Sequence, residues 1–242
     1  MNTTIQTIPL NYLAVTFIPV LAVLMLFVKW RLNIHHALYS VFRMLVQLLL
    51  IGYFLSYLFE SDSSMLILAV LMVMIICSSW IALGSVNSKQ RRSLLKKTAF
   101  SIFIGGGILL AIITQVVIQL EPWYQPRYMI PLGGMVFANA MNSVSLAAER
   151  FISEIDRDVD YLTARNIAFN AAMIPVINSL FAVGLVSLPG MMTGQILSGT
   201  SPFIAARYQI MVMCMVFASA GIATACFLSL IKKDFSINDE KS

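Results

Sequence analysis

The sequence predicts an all-α, polytopic membrane protein of about seven transmembrane helices, with the N-terminus outside and the C-terminus in the cytoplasm. Composition is the first reason: 59% of the 242 residues are apolar and only 11% are charged, against roughly 25% charged in an average soluble domain. The second is that the apolar residues fall in runs of about 20, the length needed to cross a hydrocarbon core of about 30 Å. The third is the placement of lysine and arginine, which stay in cytoplasmic loops. The chain reads as one transmembrane domain over residues 1–242, and its net charge of +5 belongs to membrane topology, not to nucleic-acid binding.

The expected spans are Leu10 to Val28, Leu38 to Phe59, Met65 to Leu83, Thr98 to Leu120, Met129 to Ala148, Ile167 to Leu188 and Tyr208 to Ile231. The first follows an uncharged stretch, Met1 to Pro9, which lacks the basic region of a signal peptide, so this span is expected to stay in the mature protein. Lys29 and Arg31 close it on the inner side, and His35 and His36 follow in the first inner loop, solvated or, less simply, at a metal entry. Span two carries Tyr39, Arg43 and Gln47 four apart, hence on one helix face. Arg43 either snorkels to the cytoplasmic surface or faces a polar path; Gln47 either bonds a neighbouring helix or lines that path.

Between spans three and four lie Lys89, Arg91, Arg92, Lys96 and Lys97, the densest basic cluster in the chain. Trp123, Tyr124 and Tyr128 mark the outer turn after span four. Span five bears Met135, Asn139, Asn142, Leu146 and Glu149 along one stripe, where the asparagines serve as interhelical glue or as carbonyl ligands for a passing ion. Gly133, Gly134 and Ala138 there, and Gly221 with Ala225 in span seven, permit close helix approach. The segment Glu149 to Arg165 reads as a cytoplasmic amphipathic helix with Phe151, Ile155, Val159 and Leu162 on its apolar face. Its acids Glu154, Asp156, Asp158 and Asp160 disfavour anionic lipid and point to a protein partner.

Span six holds Asn170 and Asn178 on one face around Pro175, whose missing donor frees a carbonyl. Next comes the glycine-rich run from Gly184 to Gly199, either re-entrant or a turn outside the membrane. Met191 and Met192 in it are apolar filler or soft metal ligands. Ser201-Pro202 reads as a cap and first-turn proline that extends span seven backwards. All but three of the 16 basic residues then lie on the inner side, through Arg150, Arg157, Arg165, Lys232, Lys233 and Lys241; the exceptions are Arg43, Arg127 and Arg207. Cys77, Cys214 and Cys226 sit in apolar runs and are expected to be small buried hydrophobes. No phosphate-binding loop, His-Glu-x-x-His or nucleophile elbow occurs in the sequence, so nothing points to an enzyme, and ATP-derived energy has to come from another chain.

Three stretches together carry a resemblance: Arg43-x-x-x-Gln47-Leu-Leu-Leu-Ile-Gly52, Ile130-Pro-Leu-Gly-Gly-Met-Val-Phe-Ala-Asn-Ala-Met-Asn142, and Val183 to Gly199 with Tyr208-Gln209-Ile210. They resemble the FetB family, the membrane subunits of bacterial iron-exporting ABC transporters, and are similar to the plant aluminium-sensitivity permeases. The resemblance covers nearly the whole chain. It implies a multi-pass permease of the bacterial inner (plasma) membrane that pairs, as a homodimer, with a separate ATP-binding subunit and moves iron out of the cytoplasm to limit oxidative stress. ATP and Mg would be used by that partner, with no cofactor bound by this chain. The family carries a Leu-Gly-Ala-Thr-like turn between spans five and six, whereas Glu149 to Met173 here contains no glycine.

The expected substrate path is therefore Arg43, Gln47, Asn139, Asn142, Glu149, Asn178, Met191, Met192 and Gln195. Arg43 orders it, the asparagines supply carbonyl oxygens, Glu149 draws the cation to the cytoplasmic mouth, and Met191 or Met192 adds sulfur. Coupling to the ATPase is expected at Phe151, Glu154, Ile155, Asp158 and Leu162. The donor types do not single out one metal. A partner-free secondary transporter or channel, and a membrane scaffold without transport, are the rival readings.

Overall fold

The computed structural model describes residues 8–84, 86 and 88–239, with the side chains of residues 10, 88–90 and 233–239 outside the description. Lys241 and the Lys89 and Lys233 side chains of the charge count therefore lie outside the described residues. The chain divides into two compact units, Met1–Ser61 and Asp62–Ser242. Among the described residues the fold is all helix apart from a single isolated bridge between Val183 and Ser187.

The first unit holds α1 (Leu10–Val15), α2 (Phe17–Lys29) and α3 (Ile34–Phe59). The Thr16 hydroxyl donates to the Leu13 carbonyl at 2.7 Å where α1 gives way to α2. Arg31 turns the chain with φ 57°, and the Asn33 side chain caps α3 by accepting from the His36 N–H at 3.2 Å. His35 and His36 thus belong to the first turn of α3 and not to a loop. Nothing in α2 is buried within the chain, as expected of helices whose apolar surface is left to lipid.

The second unit is a bundle around α7 (Pro126–Ile155), against which α4 (Ser64–Ala82), α8 (Tyr161–Ala182) and α10 (Pro202–Asp239) all pack. α4 buries Ile67, Leu71, Ile75, Ser79 and Ala82, a stripe at helical spacing. α5 (Ser88–Ile102) runs on through a π-helical turn at Phe103–Ile108, the short α6 (Leu109–Ile112) and a second π-helical turn at Ile113–Val117. The basic cluster expected in a loop therefore rides on the first turns of this helix. There the Arg91 Nη2 donates to the Trp80 carbonyl at 2.6 Å, and its guanidinium carbon lies 3.8 Å from the Trp80 ring centroid. Arg91 so satisfies a carbonyl near the end of α4 and stacks on an aromatic face.

The helices approach closely because they meet through small residues, among them Ala140, Ala147, Ala168, Ala172, Ala220 and Ala223, all fully buried. The tightest crossing lies elsewhere than the sequence suggested. A Cβ on Gly105 would stand 2.5 Å from the Ala223 backbone nitrogen and one on Gly133 2.9 Å from the Leu71 Cδ2, as expected of Gly133, whereas one on Gly134 or Gly221 would meet only methionine tips at 3.6 and 3.7 Å. Cys77 and Cys214 are exposed on the chain and Cys226 partly so, all three as free thiols. This corrects the expectation of buried cysteines: in a membrane helix an apolar run does not say which face looks at protein and which at lipid.

Among the described residues six helices are long and apolar enough to cross a membrane: Asn11–Lys29, Ile34–Phe59, Ser64–Ala82, Arg91–Val117, Pro126–Ile155 and Pro202–Lys232. α8, the remaining expected span, has 22 residues, about 33 Å at 1.5 Å per residue, but Arg165, Asn166, Asn170 and Asn178 dilute its apolar content. α10 does begin at Pro202, as the Ser201-Pro202 pair predicts.

The amphipathic helix expected over Glu149 to Arg165 does not form as one element. α7 continues to Ile155, the chain turns through residues 156–160 with Asp158 at φ 60°, and Asp160 caps a new helix by accepting from the Thr163 N–H at 3.0 Å. Aspartates favour caps and turns over helix interiors, and three of them lie between Ile155 and Tyr161. The four-four-three spacing of apolar residues thus straddles a break, and Phe151 is fully buried while Leu162 is 55% exposed. Hydrogen bonds from Thr163 hold the Asp160 carboxyl below its ordinary range. The stabilisation this gives is present above the ordinary carboxylate pKa and is lost as pH falls through the lowered folded value. An Asp160→Ala variant should accordingly show faster amide exchange at residues 161–164 near neutral pH, and the difference from the parent should vanish in strong acid.

Candidate functional site

A cavity of about 340 Å³ opens in the second unit between α7, the C-terminal end of α8, α9 (Gly190–Leu197) and α10. Its position follows from local sequence. Gly184, at φ +80°, lets the chain leave α8 in a tight turn, and Pro189 stands at the N-cap of α9, so that Met191 is delivered to the rim. α7 contributes Met135 and Asn139, α10 contributes Gln209 and Met213, and no ionisable side chain lines the space. The Asn139 Nδ2 donates to the Met135 carbonyl one turn back at 2.8 Å, which fixes the amide on the helix. Gln209 is 5% exposed, and its Oε1 has no hydrogen-bond partner. A buried carbonyl left unpaired costs about 1–3 kcal/mol. Among the described residues no group of three or more His, Cys, Asp or Glu could hold a metal ion.

Of the residues singled out from sequence, the structure brings Asn139 and Met191 to this cavity. The stripe on α7 splits: Asn139 is half-buried, while Asn142, Leu146 and Glu149 are exposed on the chain. Asn178 is exposed on α8, and Met192 and Gln195 are half-buried on α9 outside the cavity lining, with the Gln195 Oε1 also unpaired. Arg43 and Gln47 belong to the first unit and are exposed on α3, where Gln47 lines a shallow apolar groove with Leu50, Tyr53 and Phe54. Gln209 and Met213 were missed as site residues. Gln209 belongs to the Tyr208-Gln209-Ile210 stretch of the resemblance and is an amide just ahead of the apolar run of α10, and that was the available signal.

The residues expected to meet a partner divide in a similar way. Phe151 and Glu154 are buried, Ile155 is half-buried, and Asp158 and Leu162 are exposed. Phe151 meets the Tyr161 ring edge-on, centroids 5.8 Å apart, and the Tyr161 hydroxyl donates to the Leu228 carbonyl of α10 at 2.9 Å. Glu154 pairs with Arg150 at 2.7 Å and with Arg157 at 3.8 Å. The turn at 156–160 is thereby tied to both α7 and α10, two of the helices that line the cavity. An Arg150→Leu change leaves the nearly buried Glu154 carboxylate with only the longer contact and should cost about 1–3 kcal/mol, read as a lower unfolding midpoint in detergent.

The sequence matches the model of an uncharacterised protein family, UPF0014, over residues 10–165 and 161–236. The chain belongs to this family. Relatives agree along most of its length. A UPF0014 membrane protein of Synechocystis is 34% identical over 208 residues, covering 80% of each chain. The probable iron export permease protein FetB of Escherichia coli is 36% identical over 219 residues, covering 81% of this chain and 80% of its own. The protein ALUMINUM SENSITIVE 3 of Arabidopsis thaliana is 28% identical over 221 residues, covering 83% and 79%. No solved structure matches the chain. This UPF0014 protein is a multi-pass membrane protein, and its family includes a relative named as a permease.

Proposed function

We propose that the chain is the membrane-spanning permease subunit of an ABC transporter that exports metal ions, iron foremost, from the cytoplasm, powered by a separate ATP-binding subunit. The observation that carries this reading is the similarity to FetB of Escherichia coli at 36% over four-fifths of both chains. The sequence itself contains no phosphate-binding loop, so ATP and Mg belong to the partner, and the chain works as a homodimer with its N-terminus outside.

The cargo site in this reading is the cavity of Met135, Asn139, Met191, Gln209 and Met213. Asn139 lies 16 residues before the end of α7, about 24 Å along the helix from its cytoplasmic end in this reading. The ATP-binding subunit presses on the exposed Asp158 and Leu162. Phe151 and the Tyr161–Leu228 hydrogen bond pass that motion to α7 and α10, which open and close around the cavity as rigid rods. Asn142, Glu149 and Asn178, exposed on one chain, line the route where the two copies meet, and Arg43 and Gln47 form the polar face of α3.

Co-expression tests this directly. The tagged chain should co-purify with its ATP-binding subunit in mild detergent, and ferrous iron should raise ATP hydrolysis several-fold. A folded, monodisperse chain that binds no such subunit would sink the reading.

A further inference from the structure

A second cavity of about 340 Å³ lies between α8 and α10, near the start of α8. Its polar lining is Arg165, Asn166, Asn170 and Ser229, and its apolar lining is Phe169, Ala225 and Leu228. Arg165 donates from Nε and Nη2 to the Asn166 Oδ1 at 3.2 and 3.0 Å. That fork orients the guanidinium and occupies the Asn166 carbonyl, so Asn166 has its amide N–H groups left for a ligand. The ion pairs among the described residues are those of Glu154 with Arg150 and Arg157, and Arg165 has no carboxylate partner there. Asp160, the acid nearest to Arg165 in the chain, accepts from the Thr163 N–H instead. The Ser229 hydroxyl donates to the Ala225 carbonyl at 2.7 Å, which leaves its oxygen to accept.

The cavity sits at the depth of lipid headgroups. The apolar span of α10 ends at Lys232, one turn past Leu228 and Ser229, and the Lys232 Nζ lies 5.7 Å from the Tyr161 ring centroid. Lysine and tyrosine at a span end mark the membrane interface. Deeper along the span both lining faces turn apolar and stay exposed. Ile174 and Ile177 follow Asn166 and Asn170 on α8 at steps of four, four and three, and Ile222 precedes Ala225 and Ser229 on α10 at steps of three and four. A cation between helices at the headgroup level is the arrangement that recognises anionic lipid.

We infer that this cavity binds a phosphate group, through the Arg165 guanidinium and the amides of Asn166 and Asn170, with Ser229 accepting from a hydroxyl of the ligand. Two sources carry this chemistry, the headgroup of an anionic phospholipid and free phosphate, and of these only the lipid also covers the apolar groove. The site shares no residue with the metal cavity, and its occupancy requires no ATP-binding subunit.

The test is ligand retention by the full purified chain in detergent, read by native mass spectrometry. Phosphatidylglycerol is the probe, and diacylglycerol with the same acyl chains is its phosphate-free control. The parent should retain one phosphatidylglycerol per chain more than Arg165→Gln, in which the affinity of this site should fall at least about tenfold. Ala225→Trp fills the cavity from an exposed position without changing charge and should lose the same lipid. Arg92→Gln removes an equal charge from α5, outside the cavity, and should bind as the parent does. Inorganic phosphate separates the two sources. A lipid site keeps its phosphatidylglycerol in excess phosphate, whereas a free-phosphate site gives the lipid up and shows phosphate binding that depends on Arg165; both results support the phosphate assignment. If Arg165→Gln does not stay monodisperse, Ala225→Trp must show the loss by itself. Equal phosphatidylglycerol retention by the parent and the cavity variants, an equal loss in Arg92→Gln, or equal retention of diacylglycerol would overturn the assignment.

Discussion

A Gly105→Ala variant will fail to hold α10 against the helix that runs from Ser88 to Val117. The added Cβ would lie 2.5 Å from the Ala223 nitrogen, 2.7 Å from its Cβ and 2.8 Å from its Cα, and two of these three atoms are backbone. Overpacking a core by a methyl costs about 1–3 kcal/mol when side chains can give way. Here the helices themselves must part, so the loss should reach the top of that range or exceed it, a large share of a total stability of about 5–15 kcal/mol. The check is the unfolding midpoint in detergent together with the amount of protein recovered from the membrane. A rescue experiment adds the mechanism. Ala223→Gly removes only the Cβ and leaves the backbone contacts, so it should not restore Gly105→Ala. At the next position a Cβ on Gly106 would meet the Phe137 ring at 2.8 Å, a side chain, and Phe137→Leu should recover most of the loss caused by Gly106→Ala. Gly52, which has nothing within 4 Å, should accept alanine without penalty.

Replacing Gln209 by leucine should make the resting protein more stable and the transporter inactive. The buried Oε1 without a partner costs the resting fold about 1–3 kcal/mol, and leucine has nearly the same reach with no polar atom to bury. The unfolding midpoint should therefore rise while metal export falls at least about tenfold, the trade-off expected where a site is kept unsatisfied for its ligand. The measurement is paired: thermal unfolding of the purified variant, and ATP-dependent metal transport in vesicles containing equal amounts of each protein. A Gln209→Leu variant that exports normally would remove this residue from the path.

Much of the fold was legible because a bilayer forces apolar runs of a fixed length, and six of the expected spans reappear as helices of spanning length. The break at residues 156–160 was hidden by a coincidence of spacing. Phe151, Ile155, Val159 and Leu162 mimic one helical face, although the aspartates between them stop one helix and cap the next. The Gly105 crossing was not legible, since what makes it tight is α10, more than a hundred residues away, arriving there with its backbone. Asn139 and Met191 could be picked out as amide and sulfur donors. Asn142 and Glu149 share their stripe in sequence but lie further along α7, exposed on the chain and outside the cavity lining. Gln209 was visible as an amide at the start of the apolar run of α10, yet only the structure shows that it is buried with its carbonyl unpaired.

The central claim is that this bundle moves metal ions only when an ATP-binding subunit drives it. Inside-out vesicles holding both chains, with ATP and ferrous iron both supplied in the outer medium, test it most directly. Iron should accumulate only with ATP and both chains present, and the Gln209→Leu variant should reduce that uptake to background. Uptake by the permease alone, driven by an ion gradient, or no uptake by an intact complex with active ATP hydrolysis, would contradict the account.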